Sequence, residues 1–368
     1  MEKSERNSIV SMVKGIAIVL MVTGHSLPVD NVFRNYIYMF HMPLFFFVSG
    51  YCFKEKYLGD WRSFVRRRLR GLWWPFVKYG VPMVLLHNVF CALHVYGPPC
   101  DVTPYTLPQM AKAVLMQFAM SGAEPLLGAY WFLNTLLGAS LLFYACRRVA
   151  GRRWTLVLLL AGSVVCLLLM PRVGGMRIVF RMFFAGGYMA LGHLFKGFEK
   201  FRMIELKNGV VIVALGVVVG VGEIFLPHEM TDATLPTMLP CMVIAVAGVL
   251  MLWGVCERLG ESLVGTEVRG TEYERSPVRN YCACATKRFA AVLDYLGDHT
   301  LSILTWHFLC FKVVTLLIIG IYRLPIEQLA VIPILKEQAA QGWWLVYVLA
   351  GVCGAVMIWK VTSLLSGK

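Results

Sequence analysis

Apolar residues fill ten long stretches of the chain, near 9–27, 33–53, 73–95, 128–146, 154–170, 178–195, 208–226, 238–255, 300–321 and 342–360. Each is close to the about 20 mostly apolar residues needed to cross a hydrocarbon core roughly 30 Å thick. In lipid a lone segment satisfies its backbone polar groups only as a helix. The pattern therefore predicts an all-α fold, a polytopic transmembrane helical bundle of about ten spans. A further segment at 111–120 is short enough to dip only into the interface. The first stretch contains Lys14 and is followed by no small-residue cleavage site, so it reads as a span and not as a removable signal peptide.

Composition strengthens this picture. The hydrophobic set makes up 58% of the 368 residues and charged residues only 15%. A soluble domain is about 25% charged, so too little polar surface remains here to cover a water-soluble globule. The net charge of +14 would suggest nucleic acid in a soluble protein, but the positions of the basic residues exclude that reading. With the N-terminus in the cytoplasm, 25 Lys and Arg fall in the inner segments and six in the outer ones. Such a bias is the positive-inside pattern, and it places both termini inside. The run Arg66-Arg67-Arg68-Leu69-Arg70, followed by Trp73 and Trp74, reads as an anchor beside anionic headgroups.

The long polar stretch at 256–290 reads as a mobile cytoplasmic loop within a single domain over 1–368. Its Cys282 and Cys284 form a lone C-x-C, which argues against zinc. No metal site is expected, and no phosphate-binding glycine loop is present. Of the remaining cysteines, Cys91 and Cys100 are the two placed to pair on the outer side.

Ionisable side chains at membrane depth cost about 2.5–3.5 kcal/mol on insertion scales, so each calls for a partner. Lys14 and His25 are eleven residues apart on the first span. That is a rotation of about 1100° and a rise of about 16 Å, which puts both on nearly one helix face but out of hydrogen-bond reach. They can cooperate only through something long lying between them. In the second span, Pro43 should break or kink the helix near His41. In the ninth, His307 lies about 10 Å from the cytoplasmic entry. Glu223 is the one clear carboxylate within the spans, so Lys14, Arg181 and Lys312 point to an anionic ligand.

Four segments together resemble the acyltransferase-3 family of integral membrane acyltransferases. Lys14 to His25 resembles its R/K-X10-H signature, and FHMPLFFFVSGY at 40–51 resembles its second-span signature, in particular that of the fucose 4-O-acetylase-like branch. YWFLNTLLGASLLFY at 130–144 is similar to its W-F-L span, and LGDHTLSILTWH at 296–307 to its late motif. The resemblance implies an O-acyltransferase of the bacterial plasma membrane. Such an enzyme moves an acyl group, usually acetyl from acetyl-CoA, to a sugar hydroxyl of a surface or lipid-linked glycan. The acyl-CoA is then a donor substrate, with no bound cofactor. Carried over by position, Lys14 and His25 are the catalytic pair, and His41, Ser49, Trp131 and His307 are substrate-binding. Lysine at position 14 departs from the commoner arginine and gives up a bidentate fork for a point charge.

A neutral histidine can take the hydroxyl proton and return it to the leaving thiolate, or accept the acyl group itself as a covalent relay. Lys14, with the 62–70 cluster beside it as a second source of charge, would steer the CoA phosphates. Intramembrane cations and a proline-broken helix also occur in transporters, which keeps a carrier or flippase for an anionic glycolipid as the alternative. The partners implied are acyl-CoA, a glycan acceptor and the lipid bilayer, without nucleic acid; monomer and homodimer both stay open.

Overall fold

The computed structural model describes residues 8–122, 124–198, 205–264 and 277–365, and these are helical with no strand among them. The helices run in the order α1 (Ser8–Ser26), α2 (Val32–Tyr38), α3 (His41–Tyr51), α4 (Trp61–Arg68), α5 (Trp74–Leu85), α6 (His87–Ala92), α7 (Leu107–Phe118), α8 (Trp131–Leu169), α9 (Met176–Phe198), α10 (Gly209–Phe225), α11 (Met238–Val264), α12 (Pro277–Asp298) and α13 (Thr300–Tyr322). The last stretch, 336–365, interrupts its α-helical turns with π turns at Ala339–Trp343 and Ala350–Gly354. Helix covers 256–264 and 277–290 of the stretch read as a loop. Residues 265–276, together with the side chains of Cys282 and Cys284, lie outside the described residues.

Six helices in the described residues are long and apolar enough to cross a membrane. Every one of the ten apolar stretches is helical, but several are broken. The second is split at Met39–Phe40, where Phe40 leaves helical geometry (φ −138°, ψ −18°) and His41 begins α3. Pro43 sits in the first turn of α3, where its missing N–H and its ring disturb no intrahelical bond. Gly151, with φ 69° and ψ −176°, divides α8 between its two apolar halves.

The chain clusters into two compact units. The first takes its described residues from 1–21, 35–52 and 191–300. Its core centres on Trp253, fully buried, with the rings of Tyr51, Phe195 and Phe47 at 4.7, 5.2 and 6.5 Å. Where lipid is the solvent, dispersion between closely packed backbones holds helices together, and small residues permit the approach. Gly15 on α1 and Gly297 on α12 do this reciprocally. A Cβ on Gly15 would fall 2.0 Å from the carbonyl oxygen of Leu293, and one on Gly297 would fall 1.8 Å from that of Ser11.

The second unit takes its described residues from 22–34, 53–190 and 301–368. Here α4 starts at Asp60, whose side chain accepts the backbone N–H of Ser63 at 3.0 Å. Bonds to Ser63, followed by the charges of Arg62 and Arg66, hold the Asp60 carboxyl below its usual range. Phe64 of α4 stacks on Tyr144 of α8 at 4.7 Å, joining the two helices. After α4 the chain widens into a π turn at Leu69–Trp73 before α5.

Candidate active site

Helix α13 carries His307, which is 0% exposed. Its Nδ1 lies 3.0 Å from the carbonyl oxygen of Ile303 and 3.1 Å from that of Leu304. Carbonyl oxygens only accept, so Nδ1 bears the proton and donates it there. The lone pair is therefore on Nε2. This atom is buried, and no described residue bonds to it. Buried polar atoms in that condition are few in folded proteins and ask for a reason.

His25, half-buried near the end of α1, stacks on this ring with centroids 5.5 Å apart and an interplanar angle of 27°. Phe308 packs against both imidazoles, at 5.1 Å from His25 and 4.1 Å from His307. Phe311 stands edge-on to His307 at 5.7 Å. Two imidazoles thus meet in an apolar, aromatic surround. Gly351 lets the last helical stretch approach Phe311 and Val22 closely: a Cβ there would come 2.7 Å from Phe311 and 2.8 Å from Val22.

Two residues before His307, Thr305 donates to the carbonyl of Leu301 at 2.7 Å. Its oxygen is left as acceptor for the Tyr130 hydroxyl at 2.9 Å. That bond ties the start of α8, and with it Trp131, to α13. The guanidinium of Arg181 lies 5.6 Å from the Trp131 ring centre, a cation–π contact. Lys312, 5% exposed, donates to the carbonyls of Leu329 and Val331. These two cations were expected to require an anionic ligand. Lys312 is served by two carbonyls instead, and it thereby pins the 326–331 segment to α13, whereas no described residue accepts a hydrogen bond from the buried Arg181 Nε.

Of the residues singled out in the sequence, the structure brings together His25 and His307 in the second unit, which also holds Trp131. Lys14, His41 and Ser49 belong to the first unit. Lys14 is half-buried beside the Gly15 crossing. His41 is 2% exposed, donates from Nδ1 to the Ile37 carbonyl at 2.9 Å, and packs on the Tyr38 ring at 4.8 Å. Ser49 is half-buried on α3.

Sequence reasoning missed a second polar cluster, formed by His87, Glu124 and Tyr105. His87 Nε2 lies 3.0 Å from the Thr103 carbonyl and must bear a proton, while Nδ1 lies 2.7 Å from Glu124 Oε2. One further proton therefore sits between Nδ1 and the carboxyl. Tyr105 stacks on the His87 ring at 3.6 Å and donates to Glu124 Oε1 at 3.3 Å. Burial pushes the Glu124 carboxyl above its ordinary range, with the His87 and Tyr105 bonds opposing. The available signal was His87 itself, a histidine in an apolar stretch whose partner arrives from the loop before α8.

The acyltransferase domain model of the acyltransferase-3 family matches residues 7–360, and the chain belongs to that family. Comparison with curated proteins and with solved structures gave no match.

Proposed function

We propose that this membrane acyltransferase takes acetyl from acetyl-CoA and passes it to a sugar hydroxyl of a surface or lipid-linked glycan, through the paired imidazoles of His25 and His307. The observation that carries the reading is the His307 tautomer: Nδ1–H spent on two carbonyls, Nε2 unclaimed, and a second imidazole stacked on the ring.

In the first step a ring nitrogen of His25 attacks the thioester carbonyl. The C–N bond forms, the C–S bond breaks, and the proton lost from His25 goes to the departing thiolate. In the second step the acceptor oxygen attacks the acyl carbon while His307 Nε2 takes the hydroxyl proton. The C–O bond forms, the C–N bond breaks, and His307 returns the proton to His25. Lys14, on the same helix as His25, supplies positive charge for the CoA phosphates. Trp131, His41 and Ser49 are assigned to substrate binding on the family likeness of their motifs alone. The sugar acceptor rests on the likeness of 40–51 to the sugar O-acetylase branch, and the bacterial plasma membrane on the same family likeness.

The test is transfer of labelled acetyl from acetyl-CoA into glycan extracts by purified protein. The reading expects alkali-labile label on carbohydrate with wild type and none with His25→Ala. Label that enters no carbohydrate, while CoA is still released, would overturn the acceptor.

A further inference from the structure

The second unit opens a cavity of about 370 Å³ beyond the C-terminal end of α5, the end away from the Arg66–Arg70 run. One wall is α6, with Asn88, Cys91 and Ala92, and the facing wall is the strap at 102–104. Glu327 and Ala330 of the 326–331 segment close a third side. Ala92, Thr103 and Glu327 are exposed, so the cavity opens outward, while Tyr96 within it is buried. Its volume falls in the range of about 300–1,000 Å³ usual for small-ligand sites.

The walls are fixed by buried polar bonds. His87 donates from Nε2 to the Thr103 carbonyl at 3.0 Å, and Asn88 exchanges two bonds with the Tyr105 backbone, at 2.8 and 2.7 Å. Lys312 holds the carbonyls on either side of Ala330. Walls held this firmly lose little conformational freedom when a ligand enters. The cavity also adjoins the imidazole pair. The Tyr96 hydroxyl accepts from the Leu126 backbone N–H at 3.5 Å, and two residues further on Gly128 packs on Phe308, where a Cβ would come 3.3 Å from the ring. Phe308 in turn touches both His25 and His307. The short segment 125–130 is thus the partition between Tyr96 and the ring beside the two histidines.

The lining decides what chemistry fits. Among the described residues no Lys or Arg lines the cavity, and Glu327 places a carboxylate there, so an anionic ligand meets repulsion. A hydrocarbon chain would strip water from Glu327 and Asn88 and return no hydrogen bond. Asn88 has two donors and two lone pairs and spends one of each on Tyr105. The other pair stays available, with His94 and Glu327 alongside. Pro98, Val102 and Pro104 supply apolar surface. A neutral ligand that offers donors, acceptors and an apolar ring face together is a sugar.

We propose that this cavity is a subsite for a neutral sugar unit of the acceptor glycan, one that flanks the reacting sugar and holds it beside His25 and His307. The assignment rests on the glycan-acceptor reading above. It makes the enzyme sensitive to chain length: an oligosaccharide occupies the cavity and the reaction centre together, so binding at one raises the effective concentration at the other.

The probe is the carbohydrate extract of the transfer assay above, cut by partial hydrolysis into fragments graded by length from the monosaccharide upward. Full-length protein in detergent receives each fragment with acetyl-CoA. Longer fragments should be acetylated with kcat/KM at least about tenfold above the monosaccharide. At a few times their Kd they should also slow alkylation of Cys91 by N-ethylmaleimide at least about threefold, read by peptide mapping with the exposed Cys52 as internal reference. Ala92→Trp on α6 and, separately, Thr103→Trp on the strap fill the cavity from exposed positions. Each should erase the length preference through a higher KM for long fragments, whereas Ala92→Ser should keep it; unfolding midpoints report that the variants are folded. Equal kcat/KM at every length overturns the subsite and leaves the acceptor reading standing. So does a length preference that survives both Trp variants with Cys91 unprotected. Protection of Cys91 by added phosphatidylcholine, and by no fragment, overturns it in favour of a lipid chain. Extract that takes no label at any length overturns the acceptor reading itself.

Discussion

Adding one methyl group at Gly297 should loosen the helix that carries the family signature. The new Cβ would stand 1.8 Å from the Ser11 carbonyl oxygen and 2.6 Å from its carbon. Ordinary contact begins near 3.4 Å, so α1 and α12 must separate locally by about 1.6 Å. The opposing atom is backbone and cannot swing away as a side chain would. A gap of 0.5–1 Å already forfeits a quarter to a half of each dispersion contact, and overpacking a close interface costs about 1–3 kcal/mol. Gly297→Ala should therefore lie at the upper end, about 2–3 kcal/mol. Gly15→Ala meets the Leu293 carbonyl at 2.0 Å and the Gly297 nitrogen at 3.2 Å, so it demands the same displacement. The double variant should accordingly cost far less than the two singles together, since neighbouring sites couple. Denaturant unfolding in detergent, followed for both singles and the double, provides the cycle. Single losses below about 0.5 kcal/mol, or strictly additive ones, would refute the reciprocal crossing.

Three further outcomes follow from the same geometry. His307→Asn should lower steady-state transfer by about 10²–10⁴-fold, the usual worth of a general base, while a single equivalent of CoA is still released on mixing with acetyl-CoA; transfer above a tenth of wild type removes His307 from the chemistry. Glu124→Gln mimics the protonated carboxyl. Because burial raises the Glu124 value in the folded state, the native protein binds more protons than the unfolded chain between the ordinary and the raised value, and stability falls as pH rises through that window. The stability difference between Glu124→Gln and wild type should thus grow in the variant's favour as pH rises from the ordinary carboxylate range, and a pH-independent difference contradicts the assignment. Thr305→Val removes the acceptor of the buried Tyr130 hydroxyl, so it should destabilise by about 1–3 kcal/mol, read as a shift of the unfolding midpoint; no shift would mean that the bond contributes nothing.

Much of this architecture was legible in the residues because lipid leaves few options. An apolar stretch of span length must be helical, and ten such stretches are helical here. Where the reading and the structure part, local chemistry explains the difference. The break at Phe40 was expected near His41 from Pro43, but Pro43 turned out to open α3 and not to interrupt it. The polar stretch at 256–290 looked like a loop because it lacks apolar runs, yet Pro277–Asp298 is helix, packed on α1 through Gly297. Hydropathy cannot report a contact made by backbone against glycine.

The candidate site was half-legible. His25 and His307 each stood out as ionisable groups at membrane depth, and four motifs in order pointed to the family. Their stacking depends on Phe308, Phe311 and Gly351, which no spacing rule connects. Lys312 looked like a ligand-seeking cation because its partners are carbonyls, groups that leave no charge signature in a sequence. His87 was passed over for the same reason: Glu124 lies 37 residues away in the chain and meets it only on folding.

In the proposed reaction His25 accepts the acyl group and His307 serves the second step. Rapid mixing of purified protein with acetyl-CoA, without acceptor, tests it most directly when equilibrium binding is followed in parallel. One equivalent of CoA should be released per wild-type molecule and none from His25→Ala, with acetyl-CoA binding nearly intact in both. Equal release from His25→Ala, or no acetyl-CoA binding by folded wild-type protein, would contradict it.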